Sequence, residues 1–149
     1  MRTTSTGINL IKHSEGLRLE AYICPAGIPT IGYGSTSYPD GKPVKMGDSI
    51  TESQASQLLQ DTVASFEKGV RRLVTRDLTP NQFSALVSFA FNLGLGALER
   101  STLLRKVNTN PSDPFIREEF HRWVHAGGKV LPGLVTRRKA EADLYFTES

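Results

Sequence analysis

The spacing of apolar and polar positions changes twice in the first third of this 149-residue chain. A short apolar stripe predicts a helix from residue 5 to residue 13, and Gly16 is well placed to end it. Two strands are predicted over 20–24 and 28–33, on either side of a Pro-Ala-Gly turn. Residues 38–47, rich in proline, glycine and lysine, predict a third strand or an open loop.

Helical spacing dominates the rest of the chain. The stretch Thr-Glu-Ser-Gln is a capping-box pattern that opens a long predicted helix over 51–74. The stretch Leu-Thr-Pro-Asn-Gln opens the next helix, with proline at its first position. The later predicted helices run from residue 80 to Gly94 or Gly96, over 98–107, over 113–125 and over 134–146, with a loop at 125–133.

These elements together predict an α+β fold in one domain, residues 1–149. A small β lobe, about residues 15–50, precedes the long helix. That helix joins it to a larger helical lobe built from 1–14 and 51–149. A β region of this size is too small to fold alone, so we expect it to depend on the helices.

Composition and charge narrow the function classes. The formal net charge of +3 favours an anionic partner, which nucleic acid, an acidic membrane surface or a bacterial wall would provide. The basic residues come as short groups, such as Arg71-Arg72 and 137–139, which solvated helix faces also explain. With one cysteine the chain forms no internal disulfide. We expect a protein made and kept in a cytoplasm, because neither a signal peptide nor an apolar run of membrane-spanning length is evident.

Three residues near the predicted hairpin can carry chemistry. Glu15 can donate a proton, Cys24 can act as a base or a nucleophile once deprotonated, and Thr30 can orient a water molecule. A glycosidase needs an acid, a second reactive group and a residue that positions a water molecule. The plainer interpretations are a surface glutamate, a small buried cysteine and a threonine chosen for its strand propensity.

The spacing of these residues resembles the signature of the phage-type lysozymes, the endolysins of glycoside hydrolase family 24. In that family a glutamate is followed after eight residues by aspartate or cysteine, and after five more by threonine, as in Glu15, Cys24 and Thr30 here. The flanking stretches EGLRLEAY and TIGYG agree, as do LTPNQFSALVSFAFNLG and PGLVTRRKAEADLY further along. The resemblance therefore covers nearly the whole chain.

The resemblance implies a lysozyme-like fold and a muramidase. Its substrate would be the β-1,4 bond between N-acetylmuramic acid and N-acetylglucosamine in peptidoglycan, and its outcome lysis of the bacterial host. It implies no metal and no organic cofactor. It also implies a monomer that stays in the host cytoplasm until a separate membrane-permeabilising protein, a holin, releases it to the periplasm and wall.

Further residues are candidates for substrate contact. Asn92, at a predicted helix end, can hydrogen-bond an N-acetyl group, and Ser101 and Thr102 open the next helix, where capping explains them nearly as well. The family's closing helix supplies basic residues near the catalytic glutamate, which makes Arg137 or Arg138 the expected partner of Glu15.

Two other classes stay open at this point. A basic nucleic-acid-binding protein is one, although a clustered basic helix and aromatic platforms are lacking. A non-catalytic wall-binding module that kept the fold is the other. The histidines show no metal-ligand spacing with acidic or cysteine partners, so no metal site is predicted.

Overall fold

The structure, a computed structural model, describes residues 1–148 and divides the chain into two compact units. One unit comprises Met1–Leu10 and Phe66–Ser149, and the other Ile11–Ser65. The described residues form seven helices and four short strands. In chain order these are α1 (Ser5–Glu15), β1 (Arg18–Ile23), β2 (Pro29–Gly32), α2 (Glu52–Leu73), α3 (Pro80–Leu93), α4 (Leu95–Glu99), α5 (Thr102–Thr109), α6 (Ile116–His121), β3 (His125–Ala126), β4 (Lys129–Val130) and α7 (Pro132–Tyr145).

The unit Ile11–Ser65 is built around the predicted hairpin. Strands β1 and β2 pair antiparallel, with Tyr22 opposite Thr30, and an irregularity interrupts the register nearer the start of β1. The region 38–47 holds turns and one isolated bridge residue, Pro43 opposite Ser37, instead of a named strand, so the open-loop alternative is the correct one. Proline and glycine in this region favour turns over a paired strand.

A small apolar cluster and one carboxylate fix the loop that follows the hairpin. The cluster consists of buried Ile31, Val44 and Leu58. Beside it, the Tyr38 hydroxyl donates to Asp48 Oδ2 at 2.7 Å. Burial, with the Asp48 carboxylate beside it, raises the pKa of Tyr38 to about 12, so the phenol stays a donor at neutral pH. The loop therefore has both apolar and polar anchors.

The other unit is helical, with α3 at its centre. The residues Phe83–Ala90 are all buried, as expected for a helix that is apolar on every side. Helix α3 packs on α7, and the Phe89 ring meets Phe120 and Trp123 edge-on, with centroid distances of 6.0 and 5.5 Å. Such edge-to-face pairs add to the stabilisation that burial provides.

The capping box predicted before α2 is confirmed, and the predicted start of α3 has one as well. The backbone N–H of Gln54 donates to Thr51 Oγ1 at 3.1 Å, and the Thr51 N–H donates to Gln54 Oε1 at 2.8 Å. Thr79 and Gln82 form the same reciprocal pair ahead of α3. Two of the backbone donors that a helix start leaves unpaired are satisfied in each case.

Two of the predicted helices are wrong in their extent. The segment 98–107 is interrupted at Ser101, whose side chain accepts from the Leu104 N–H and begins α5 as an N-cap. The helix predicted over 113–125 is only α6, and the predicted loop after it contains the hairpin β3–β4. Gly127 and Gly128, both with positive φ, supply the two turn residues of that hairpin. Within residues 1–148 no helix is long and apolar enough to cross a membrane.

Candidate active site

Glu15 is the last residue of α1, and the backbone around it is shaped by glycine. Gly16, at φ 75°, ends the helix, and its N–H donates to the Lys12 carbonyl at 2.9 Å. A Cβ added at Gly34 would lie 3.3 Å from Glu15 Oε1, and the φ of 93° at Gly34 is itself unfavourable for other residues. The glycine after the TIGY stretch therefore lets the Glu15 carboxyl group approach the backbone closely.

Cys24 and Thr30 lie at the turn of the hairpin. The Cys24 N–H donates to the Ile28 carbonyl at 3.1 Å, and the Gly27 N–H donates to the Cys24 carbonyl at 2.8 Å, which closes the turn. Cys24 is partly exposed, whereas Thr30 is buried. The Thr30 hydroxyl donates to the Ile28 carbonyl at 2.9 Å. Local turn geometry thus sets the position of the thiol.

The surroundings of Cys24 favour its thiolate. A hydrogen bond from the Thr30 side chain is the largest cause that lowers the pKa of Cys24, and hydrogen bonds from the Ile28 and Ala26 backbone add to it. A partly exposed thiol with a lowered pKa fits a reactive cysteine better than a packing residue.

Thr30→Val should move the alkylation of Cys24 to higher pH. Only the thiolate reacts with iodoacetamide, and valine removes the largest cause that lowers the pKa of Cys24. The measurement is the alkylation rate over a pH series, followed by mass spectrometry in wild type and variant. Because Cys24 is the chain's one cysteine, no other thiol contributes. An identical pH profile in the two proteins would show that Thr30 does not act on the sulfur.

The other predicted site residues lie in the helical unit. Asn92 Oδ1 accepts a hydrogen bond from Arg138 Nη2 at 2.8 Å. Ser101 is buried and caps α5, while Thr102 is exposed and accepts from Arg105 Nη2 at 2.8 Å. The sugar contacts predicted for Asn92, Ser101 and Thr102 stay predictions, and capping is the role of Ser101 that the contacts display.

Arg137 and Arg138 are both buried, and both contact Glu141. Their pairing with Glu15 stays a prediction. Sequence reasoning missed Glu141, although its spacing from the two arginines, i+4 and i+3 on one helix, is the signal that would have found it. Across residues 1–148, histidine, cysteine, aspartate and glutamate form no group of three or more that could hold a metal ion.

The chain belongs to the phage lysozyme family, whose model matches residues 12–141. It is 45% identical to an endolysin of Bacillus phage B103 over 99% of this chain, and 38% identical to an endolysin of Salmonella phage P22, also over 99%. It spans 55% of the B103 protein and 99% of the P22 protein. The family predicted from the motif is therefore confirmed.

Solved structures agree with this assignment. An endolysin from Escherichia coli O157:H7 phage FAHEc1 superimposes with a TM-score of 0.90 at 41% identity, covering 98% of this chain and 94% of the other. A mutant of P22 lysozyme superimposes with a TM-score of 0.86 at 36% identity, covering 99% of both chains. The predicted α+β, lysozyme-like fold is confirmed.

Proposed function

We propose that this protein is a muramidase that hydrolyses the β-1,4 bond between N-acetylmuramic acid and N-acetylglucosamine in peptidoglycan. The observation that carries the proposal is that Cys24 and Thr30 lie at one hairpin turn, where the Cys24 N–H and the Thr30 hydroxyl both donate to the Ile28 carbonyl, in the same compact unit as Glu15. Glu15, Cys24 and Thr30 are the three residues of the phage-type lysozyme signature. The Thr30 side chain is also the largest cause that lowers the pKa of Cys24, which supports a reactive role for the thiol.

In this mechanism Glu15 is the general acid. It donates a proton to the glycosidic oxygen as the bond to the anomeric carbon breaks, and the leaving sugar departs as an alcohol. Because Gly34 has no side chain, nothing at this position crowds the Glu15 carboxyl group that donates the proton.

Cys24 acts on the anomeric carbon by one of two routes. As a nucleophile, the thiolate forms a carbon–sulfur bond, and water later displaces it with Glu15 as the base, so the anomeric configuration is retained. As a base, it takes a proton from water that attacks directly, which inverts the configuration. In both routes the Thr30 side chain stabilises the negative charge on the Cys24 sulfur. In the second route its hydroxyl also orients the water molecule.

The remaining parts of the proposal concern the substrate and its setting. The proposed sugar contacts are Asn92, Ser101, Thr102 and Arg137. We propose a monomer without metal or organic cofactor that begins in the host cytoplasm and depends on a holin to reach the wall. The biological result would be lysis of the host cell.

Digestion of purified sacculi tests this function against the other two classes. The wild-type protein should release soluble fragments with new reducing ends. A wall-binding module would sediment with the sacculi and release none, whereas a nucleic-acid-binding protein would be retained on DNA at physiological salt. Sedimentation without reducing ends, or retention on DNA without digestion, would contradict the proposal.

A further inference from the structure

A fully buried carboxylate in α7 organises a polar network inside the helical unit. Glu141 is 0% exposed. Its Oε1 lies 2.7 Å from Arg138 Nε, and its Oε2 lies 3.3 Å from Arg137 Nε and accepts from Ser88 Oγ at 2.5 Å. Burial of three charged groups is costly, and apolar residues of similar volume often stabilise a core as well. Stability alone therefore does not account for this network.

Arg138 connects this network to a partly exposed amide. The guanidinium is itself 0% exposed and lies over the Phe89 ring, 5.3 Å from its centroid. Nη2 donates to Glu141 Oε2 at 3.1 Å and to Asn92 Oδ1 at 2.8 Å, and Nη1 donates to the Trp123 carbonyl at 3.4 Å. Contacts on several sides hold the guanidinium in one position.

A guanidinium has donors and no acceptor, so the group it meets must present an oxygen. This decides the orientation of the Asn92 side chain, whose Oδ1 faces Arg138 and whose NH₂ group faces away from it. Asn92 is half-buried and lies one residue before the end of α3. Its fixed N–H donors are suited to bind a carbonyl oxygen.

We propose that Glu141 and Arg138 are positioning residues that fix the Asn92 amide as a donor to the acetamido carbonyl of an N-acetyl sugar. This inference rests on the proposed function, because peptidoglycan supplies that group on each of its sugars. The site would then distinguish N-acetylated from de-N-acetylated wall, since loss of the acetyl group leaves the Asn92 donors unpaired.

The test compares intact sacculi with chemically de-N-acetylated sacculi, in both binding and hydrolysis. Binding is measured by sedimentation in a Glu15→Gln background, so that it does not depend on turnover. The protein that keeps Asn92 should bind the acetylated wall about tenfold more tightly than the de-N-acetylated wall, the usual effect of one unpaired hydrogen-bonding group. Asn92→Asp keeps an acceptor towards Arg138 and removes the donors, so the preference should fall to about one or below.

Asn9→Asp is the matched control, because it makes the same chemical change at an exposed position of α1. It should keep the wild-type preference. Arg138→Lys keeps the charge and loses the planar donor group, so it should reduce the preference for the acetylated wall. In the double variant with Asn92→Asp it should cause no further loss of that preference. A purely structural role of Arg138 would weaken binding to both walls by the same factor.

Three results would overturn the inference. They are a wild-type preference of one, an undiminished preference in Asn92→Asp, and an Arg138→Lys variant that weakens binding without changing the preference. Thermal unfolding identifies any variant that has lost its fold, and Asn92→Asp tests the amide without replacing either member of the buried pair. A protein that shows the predicted preference but releases no reducing ends contradicts the proposed hydrolysis and leaves this inference standing.

Discussion

Glu15→Gln should lower the rate of peptidoglycan hydrolysis by about two to four orders of magnitude, the range that general acid catalysis contributes. Glutamine has nearly the same shape and keeps hydrogen-bonding capacity, but it has no acidic proton for the leaving oxygen. The midpoint of thermal unfolding should therefore stay near that of the wild type. The measurement is the clearing of a sacculus suspension, with the unfolding midpoint recorded on the same sample.

Glu20→Gln is the control for this experiment. Glu20 is exposed on β1 in the same compact unit, and the substitution removes the same charge. We expect wild-type activity from it. If Glu15→Gln kept a tenth or more of the wild-type rate, Glu15 would not be the acid.

Cys24→Ser should lose most of the activity, whereas Cys24→Asp should keep much of it. A serine hydroxyl stays protonated, whereas the Cys24 thiol, whose pKa is lowered chiefly by the Thr30 side chain, forms its anion far more readily. Aspartate is ionised at neutral pH, and it is the other residue that the motif accepts at this position. The measurement is the initial rate of reducing-end release for the three proteins at one pH.

The anomeric configuration of the first product of the wild-type protein distinguishes the two routes through Cys24. Retention of the anomeric configuration in the first product formed, followed by NMR, indicates the nucleophile, and inversion indicates the base. A fully active Cys24→Ser variant would contradict both routes, because it would leave the thiol with only a packing role.

Local signals in the sequence predicted much of the fold correctly. The capping boxes before α2 and α3 and the hairpin β1–β2 depend on residues within a few positions of each other. The errors occurred where two local signals competed. Ser101 fits either the interior of a longer helix or the cap of a new one, and the structure shows that it caps α5.

The candidate site was predictable to the extent that its residues are near one another in sequence. Glu15, Cys24 and Thr30 follow from the motif, but the Ile28 carbonyl, which accepts from both the Cys24 N–H and the Thr30 hydroxyl, required the structure. The i+3 and i+4 spacing on α7 was a usable signal for the contacts of Glu141 with Arg138 and Arg137, but its contact with Ser88 of α3, 53 positions away, could not be inferred from the sequence. Pairing of that kind depends on how α3 and α7 pack, and no periodicity along the chain encodes it.

Mass spectrometry of sacculus digests tests the central claim most directly. Wild-type protein should release muropeptides that end in a reducing N-acetylmuramic acid, and the Glu15→Gln variant should release none above background. Products with 1,6-anhydro ends would indicate a lytic transglycosylase, and products that end in reducing N-acetylglucosamine would indicate cleavage of the other glycosidic bond. Either of these, or wild-type products from Glu15→Gln, would contradict a muramidase that depends on Glu15.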